Sequence, residues 1–130
     1  MSGALLDTSV VIEYGVVEDD LPPAAAISVV TLGELRAGVL LAHDERIRAA
    51  RAARLTAVRE AFMPIPVDEP VAERYGELLA LARSERRTAK ATDLLIVATA
   101  AAHGRTLHTR DERQAELARA AGLAVDAIRR

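Results

Sequence analysis

Predicted strands alternate with longer helical segments along this chain, and that alternation constrains its fold more than any other feature. The strand candidates are Gly3–Leu6, Ala26–Val30, Met63–Val67, Thr106–Thr109 and Leu123–Ile128. Strands that are joined through helices run parallel, because the helix returns the chain to the starting edge of the sheet. The sequence therefore predicts an α/β fold built on a parallel sheet.

Helical patterns fill the intervals between these strands. The first helix is short and ends near Tyr14, and the others cover residues 31–42, 44–61, 69–87, 91–103 and 111–121. Segment 91–103 is almost continuously apolar, so we expect a buried helix that ends at Gly104. Pro64 and Pro66 confine their strand to a sheet edge, because proline cannot donate a ladder hydrogen bond. A turn is predicted at Leu21–Pro23.

Composition excludes several classes of protein. The 130 residues are enough for one domain, here 1–130, and without cysteine they cannot form a disulfide scaffold or a thiolate zinc site. Seventeen basic and nineteen acidic residues give a net charge of −2, which is not that of a generally basic nucleic-acid coat. Three aromatic residues are too few for base-stacking RNA readers. No apolar run spans a membrane and no signal segment opens the chain, so we expect a cytoplasmic protein.

Four acidic residues fall where the predicted topology brings them to one edge of the sheet. Asp7 directly follows the first strand, and Asp111 lies two residues after Thr109. Glu34 is predicted in the first turn of the helix after the second strand, and Asp93 in the first turn of the buried helix. Ligands of open parallel sheets bind outside the carboxyl ends of the strands. We therefore expect the four carboxylates to converge there.

Each acid also has a purely structural interpretation. Asp7 can be a helix N-cap, and Thr31 with Glu34 matches a capping box. Asp93 and Asp111 can complement helix dipoles. Four unrelated caps have no reason to share one sheet edge, however, and this favours a common site.

A group of carboxylates at one edge predicts a metal ion. Carboxylates that repel one another stay ionised at neutral pH when a cation holds them, and ligand sets made only of oxygen favour Mg²⁺, or Mn²⁺ in its place. Such an ion lowers the pKa of a bound water and neutralises charge that develops on a phosphodiester. The reaction class indicated is metal-assisted phosphodiester hydrolysis.

Four segments of the chain resemble the motifs of a PIN domain. They are Leu5–Ser9, Thr31–Leu35, Ala91–Ala100 and Leu107–Asp111. Over essentially its whole length the chain is similar to the VapC toxins, the ribonuclease half of VapBC toxin–antitoxin pairs. The resemblance implies a three-layer α/β/α PIN-like domain with a central parallel sheet and the first strand at its centre.

The same resemblance implies a function and a set of site residues. The acidic quartet around Mg²⁺ would be Asp7, Glu34, Asp93 and Asp111, with Thr8 and Thr109 supporting it. The protein would be a Mg²⁺-dependent endoribonuclease that acts as a toxin, bound by an antitoxin and forming a homodimer. Many relatives carry a further acid three residues after the fourth, where this chain has Gln114. The alternative is a catalytically silent PIN-like module that only binds RNA or protein.

Other folds of similar architecture do not match the sequence. A haloacid-dehalogenase phosphatase needs a second aspartate two residues after the first, and Ser9 stands there. The chain contains no glycine-rich dinucleotide motif and no phosphate-binding P-loop. Its histidines, at positions 43, 103 and 108, lack the spacing of a helical metal pair.

Basic residues upstream of the third acid are candidate RNA contacts. Arg86 and Arg87 lie just before Asp93 and are predicted to hold RNA phosphates, a contact that positions RNA without reading its sequence. The alternative is a solvated helix end.

A mixed stripe on the predicted helix 44–61 is a candidate partner surface. Leu55 and Val58 lie on one face of this helix, with Arg51 in the middle of the same stripe. Arginine among aliphatic residues suits a protein interface, so we expect these three residues to contact an antitoxin or a second toxin chain. The alternative is an arginine that extends past the edge of the core.

Overall fold

The computed structural model describes residues 3–14, 22 and 24–127. Three strands, β1 (Ala4–Leu6), β2 (Thr106–Thr109) and β3 (Val125–Ala127), form a parallel sheet in that order. The helices are α1 (Thr8–Tyr14), α2 (Val29–Leu40), α3 (Glu45–Ala61), α4 (Glu69–Ser84), α5 (Ala91–Ala102) and α6 (Glu112–Ala120). The alternation predicted from the sequence is therefore confirmed.

Two single-residue bridges extend the sheet beyond β1. Leu5 pairs with Ala26, and Ser28 pairs with Ile65, both in parallel. The Ile65 N–H group donates to the Ile27 carbonyl at 2.9 Å. Among the described segments, β1 therefore lies in the middle of the sheet and the proline-flanked Ile65 lies at one edge, as predicted.

Alternate residues of β1 face two different helical layers. Leu5 is fully buried in a core cluster with α4, α5 and α6, whereas Leu6 is fully buried in a second cluster with α1, α2 and α3. A parallel sheet whose strands are buried on both faces needs helices on both sides. This arrangement confirms the three-layer α/β/α fold.

A helix begins inside the second predicted strand. The prediction of a strand over Ala26–Val30 is wrong at its end, because α2 begins at Val29. The Ser28 side chain caps this helix by accepting a hydrogen bond of 3.1 Å from the backbone of its second residue. The capping box of Thr31 and Glu34 is therefore also wrong. Glu34 lies in the second turn of α2, not in the first.

The fourth helix ends earlier than predicted. It stops at Ser84, and Arg86 adopts a left-handed conformation with φ of 54°. The Arg87 N–H group donates to the Ala82 carbonyl at 2.8 Å, which is the long bond of a Schellman motif. Arg86 and Arg87 consequently lie in the loop before α5 and not in a helix.

The bounds of the remaining predicted elements match the structure within a few residues, but two predicted strands are shorter than expected. The strand Met63–Val67 shrinks to the bridge at Ile65, and the last strand covers only Val125–Ala127. Gly104 has a positive φ of 61° after α5, as its predicted role requires. Leu21 and Pro23, in the predicted turn, and Ile128 lie outside the described residues. None of the helices in the described part of the chain is long and apolar enough to cross a bilayer.

Candidate active site

Four elements bring the predicted acids to the carboxyl edge of the sheet. Asp7 follows β1, Asp111 follows β2, Glu34 lies on α2 and Asp93 lies in the first turn of α5. The pKa of Asp93 is raised to about 6, first by burial and then by repulsion from the other three carboxylates. Lys90 acts in the opposite direction. Asp7, Glu34 and Asp111 lie near enough to repel the Asp93 carboxylate, and the four acids share one edge of the sheet. That they form one metal site stays a prediction.

The Asp7 carboxylate is held through one of its two oxygens. Oδ2 accepts hydrogen bonds from Ser9 Oγ at 2.6 Å, from Thr109 Oγ1 at 3.1 Å and from the Ser9 N–H group at 3.3 Å. The residue is only 5% exposed, so these bonds fix its orientation. Within the described chain, Oδ1 has no hydrogen-bond partner, and it remains available to a ligand.

Glu34 and Asp111 show the same division between their two oxygens. Thr8 Oγ1 donates to Glu34 Oε1 at 2.6 Å and also lies 3.0 Å from Thr31 Oγ1. Asp111 caps α6, and its Oδ1 accepts two backbone N–H groups of that helix at 3.0 and 3.3 Å. The second oxygen of each acid makes no hydrogen bond to a described residue. The chain thus orients both carboxylates without using all their lone pairs.

Asp93 is the least supported of the four acids. No described residue forms a hydrogen bond with its carboxylate, which matches the rise in its pKa. Nowhere in residues 3–14, 22 and 24–127 do three His, Asp or Glu side chains approach closely enough to enclose a metal ion alone. An open set of oxygen donors still fits Mg²⁺, which keeps several waters and takes only one or two carboxylates beside substrate phosphates.

Three polar residues that the sequence analysis left without a site role also belong to this network. Ser9 links Asp7 to the strand end, because its Oγ accepts the Arg110 N–H group at 3.1 Å. Thr31 and Gln114 contact Thr8 and Thr109, the two residues predicted to support the acids. All three are polar side chains on a helix face that otherwise packs against the core. This pattern could have identified them in the sequence if the bounds of the helices had been known.

A cleft of about 530 Å³ opens beside Asp93 and Asp111. Arg87, Lys90 and Arg113 also line it, so positive charge lies next to the two acids. Such a rim compensates the repulsion that an acidic site exerts on a polyanion. The cleft is therefore suited to a phosphate-bearing substrate.

The structure separates the two arginines that were predicted to bind RNA. Arg87 lines the cleft and pairs with Glu85, with 2.5 Å between Nε and Oε1. Arg86 is exposed on the turn and does not line the cleft. Only Arg87 is thus placed beside the acids.

The predicted partner surface on α3 is mostly core. Leu55 is 8% exposed and Val58 is fully buried, and both pack in the cluster shared with α2. The expectation that their side chains contact a partner is wrong, because the α2–α3 packing already covers them. Arg51 donates from Nη1 to the Gly38 carbonyl at 2.7 Å, which explains an arginine beside this apolar stripe. A partner contact by Arg51 stays a prediction.

A second cleft, of about 410 Å³, lies near the start of β2. Gly104, Arg105 and Thr106 line it on one side, at the opposite end of the strand from Asp111. Its one lining acid, Glu77, pairs with Arg74 at 3.3 Å. This cleft therefore lacks the acid cluster of the first.

A parallel sheet with four acids at its carboxyl edge is the arrangement of a PIN domain, and the comparisons agree. The family model described as PIN domain matches residues 4–120. The chain belongs to the PIN domain family.

Relatives with known names place it more narrowly. It is 47% identical to Ribonuclease VapC8 of Mycobacterium tuberculosis (strain CDC 1551 / Oshkosh) over 100 residues, covering 74% of this chain and 88% of that protein. It is 40% identical to Ribonuclease VapC5 of Mycobacterium tuberculosis (strain ATCC 25618 / H37Rv) over 129 residues, covering 95% and 94%. Within the PIN domains, these relatives place the chain in the VapC group.

Solved structures agree with this placement. The chain superposes on the VapBC-5 toxin–antitoxin structure from Mycobacterium tuberculosis with a TM-score of 0.86 and 35% identity, covering 98% of this chain and 100% of that one. It also matches FitAcB from Neisseria gonorrhoeae with a TM-score of 0.78 and 30% identity, covering 94% and 95%. Both matches extend over nearly the whole chain, so the likeness is not confined to the acid motifs.

Proposed function

We propose that this protein is a Mg²⁺-dependent endoribonuclease that hydrolyses RNA phosphodiester bonds and acts as the toxin of a type II toxin–antitoxin pair. The observation that carries the catalytic part of this proposal is geometric: Asp7 and Asp111 follow two neighbouring parallel strands, and Asp93 lines the same cleft as Asp111. The ribonuclease names of its relatives support RNA as the substrate class.

The ion would bind among four side chains, one or two of them directly and the others through its bound waters. The four side chains are Asp7, Glu34, Asp93 and Asp111, with Mn²⁺ as a substitute for Mg²⁺. The bound ion supplies polarisation of the phosphodiester and a water of lowered pKa. The chain contributes orientation: Ser9 holds Asp7 and Thr8 holds Glu34 in place before any ligand arrives. Such preorganisation lowers the reorganisation needed when charge develops at the phosphate.

Basic side chains would bring the RNA to the acids. Arg87, Lys90 and Arg113 line the same cleft as Asp93 and Asp111. Phosphate contacts of this kind fix the position of a strand and carry no base specificity. They also oppose the repulsion between the acids and the RNA backbone.

Cleavage of a fluorescent RNA with Mg²⁺, and with the ion removed by EDTA, tests the catalytic proposal. We expect cleavage only with the ion, and a loss of about 100-fold or more in Asp93→Asn, since several kcal/mol of charge stabilisation depend on the site. Asp68→Asn is the matched control, because Asp68 caps α4 on an exposed surface. Equal cleavage by Asp93→Asn and the wild type would contradict the assignment.

A catalytically silent binding module makes a different prediction. A carboxylate site should raise the melting temperature in millimolar Mn²⁺ or Mg²⁺, because a ligand that binds only the native state stabilises it. The silent module should show no such shift and no cleavage. Thermal melting with and without each ion separates the two.

The toxin role also predicts two protein partners. The solved VapBC-5 structure belongs to a family of toxin–antitoxin systems, which supports an antitoxin partner for this chain. We propose the cytoplasm as the location of the pair. We further propose a homodimer. Size-exclusion chromatography with light scattering tests both, on the chain alone and after co-expression with the product of the neighbouring gene. A monomer at micromolar concentration contradicts the homodimer, and failure to co-purify contradicts the antitoxin.

A further inference from the structure

Gln114 is a buried polar residue that touches three parts of the candidate site. It is 3% exposed on α6, among the apolar residues that pack this helix onto the core. Its Oε1 accepts the Thr109 hydroxyl at 2.7 Å, and its Nε2 donates to the Asp93 carbonyl oxygen in a long bond of 3.5 Å. Its backbone N–H group donates to Asp111 Oδ1 at 3.3 Å. The side chain thus connects the end of β2 with the first turn of α5, and the backbone of the same residue contacts Asp111.

The Thr109 hydroxyl faces two acceptors and has one proton. Asp7 Oδ2 lies 3.1 Å away and Gln114 Oε1 lies 2.7 Å away, while the Asp111 N–H group occupies an acceptor site of the same oxygen at 3.0 Å. A threonine hydroxyl donates one hydrogen bond. The shorter distance is the usual one for an O–H···O bond, so the proton points mainly to Gln114.

The Asp93 carbonyl fixes which end of the amide faces Thr109. With Oε1 toward Thr109, the Nε2 group can donate to that carbonyl. The reversed amide would place two acceptor oxygens against each other without a proton between them. The amide is therefore held as an acceptor for Thr109, and Asp7 keeps Ser9 as its main side-chain donor.

We propose that Gln114 is a positioning residue of the metal site, which draws the Thr109 proton away from Asp7 and so leaves more of the Asp7 charge to a divalent cation. This inference rests on the proposed function, because it assumes that the acids bind an ion. Outer partners of this kind tune metal affinity by about 10–100-fold. A glutamine that only satisfies its own polar atoms in the core would affect folding and not affinity.

Titration calorimetry with Mn²⁺ on the full chain, without RNA, tests the proposal. Gln114→Met keeps the side-chain length but removes the acceptor, so the Thr109 proton turns to Asp7 and the Kd for Mn²⁺ should rise about tenfold. Gln114→Glu restores the acceptor for Thr109, and in its protonated form the second oxygen can donate to the Asp93 carbonyl as Nε2 does, so this variant should bind Mn²⁺ as tightly as the wild type. Ala118→Gly is the control, because it weakens the same helix without touching the network.

A double-mutant cycle identifies the route through Thr109. Thr109→Val removes the contested proton, so in that background Gln114→Met should change the Kd less than about twofold, a clear departure from additivity. Additive effects, or a Gln114→Met Kd equal to that of the wild type, overturn the inference. If Gln114→Met does not fold, weaker binding by Gln114→Glu overturns it instead. A wild-type chain that binds no Mn²⁺ overturns the proposed metal site itself.

Discussion

Four of the described helices are each preceded by a capping aspartate, and these aspartates form two pairs that differ in their surroundings. Asp44 caps α3 and Asp68 caps α4 by accepting backbone N–H groups at 2.8 and 3.2 Å, and both aspartates are exposed. Asp7 and Asp111 accept the same kind of bond at the starts of α1 and α6. The local role of all four is therefore alike.

The difference lies in what precedes each helix. Asp7 and Asp111 follow β1 and β2, two neighbouring parallel strands whose carboxyl ends meet. Asp44 follows a short connection between two helices, and Asp68 lies three residues after the bridge at Ile65, at the outer edge of the sheet, so neither lies between the ends of β1 and β2. One aspartate can thus cap a helix with one oxygen and bind a ligand with the other. The topology of the sheet determines which capping aspartates lie close enough to other acids to do both.

The largest expected effect separates the two pairs of caps. Asparagine caps helices as well as aspartate does, so all four Asp→Asn variants should fold. Asp7→Asn and Asp111→Asn should lose RNA cleavage by about 100-fold or more, whereas Asp44→Asn and Asp68→Asn should keep it. Initial rates of RNA cleavage in Mg²⁺ measure this. Similar losses in both pairs would show that the caps matter only for folding.

Asp93 sharpens the comparison, because no capping bond compensates its charge. Its pKa of about 6 lies above the ordinary value near 4, so between these pH values the native state holds a proton that the unfolded state has released. Stability of the metal-free protein should therefore fall as pH rises through this window. Solvent screening limits the effect to about 1 kcal/mol. Urea unfolding in EDTA at pH 4.5 and 7.5 should show a smaller fall in Asp93→Asn.

The two arginines of the turn after α4 extend the same comparison to basic residues. Arg87 lines the cleft and Arg86 does not. Arg87→Glu should weaken RNA binding and reduce the slope of log K against log salt by about 1, because a phosphate contact is lost. Arg86→Glu should leave the slope unchanged. Fluorescence anisotropy across a salt series measures both slopes. If Arg87→Glu had the same slope as the wild type, Arg87 would be a solvated surface residue that does not contact RNA.

Replacing the capping aspartates by alanine tests whether repulsion among the acids lowers the stability of the metal-free protein. Asp44→Ala and Asp68→Ala should each lower the free energy of unfolding by about 1 kcal/mol. Asp111→Ala should lower it less, because losing the cap is offset by relief of repulsion on Asp93. Urea unfolding in EDTA compares the three. An equal loss in all of them would show that repulsion among the acids has no effect on the metal-free fold.

The smallest effect concerns the end of a helix. Gly104 and Arg86 both adopt positive φ after helices, but only glycine does so without strain. Arg86→Gly should raise the free energy of unfolding by about 0.5–1 kcal/mol. A chemical denaturation curve measures it, and Ala80→Gly, at an exposed position in the interior of α4, is a control that should destabilise.

The architecture was predictable from the sequence because its signals are local. Pro64 and Pro66 placed their strand at the edge, and Asp7 and Asp111 followed the strands whose ends form the site. The boundary at Val29 was not predictable from hydrophobicity, because valines favour strands and only the Ser28 cap turns them into a helix.

Contacts between elements could not be predicted from the hydrophobic periodicity of the sequence. The stripe of Leu55 and Val58 has the same pattern whether α2 or another protein covers it, and the structure shows that α2 does. Ser9 contacts Arg110, which lies 101 positions away in the sequence, and Gln114 contacts Thr109, which lies 5 positions away. Distances between elements, and not the order of residues, determine such a network.

The proline-flanked bridge at Ile65 also affects the tendency of this protein to aggregate at high concentration. Both ladder bonds of Ile65 point inward, to Ile27 and Val29, so the outward-facing backbone positions are those of Pro64 and Pro66. Proline has no N–H group, and this margin offers an incoming strand no donor at either position. At this edge of the sheet the chain thus carries a built-in barrier against edge-to-edge aggregation, the hazard of any exposed strand.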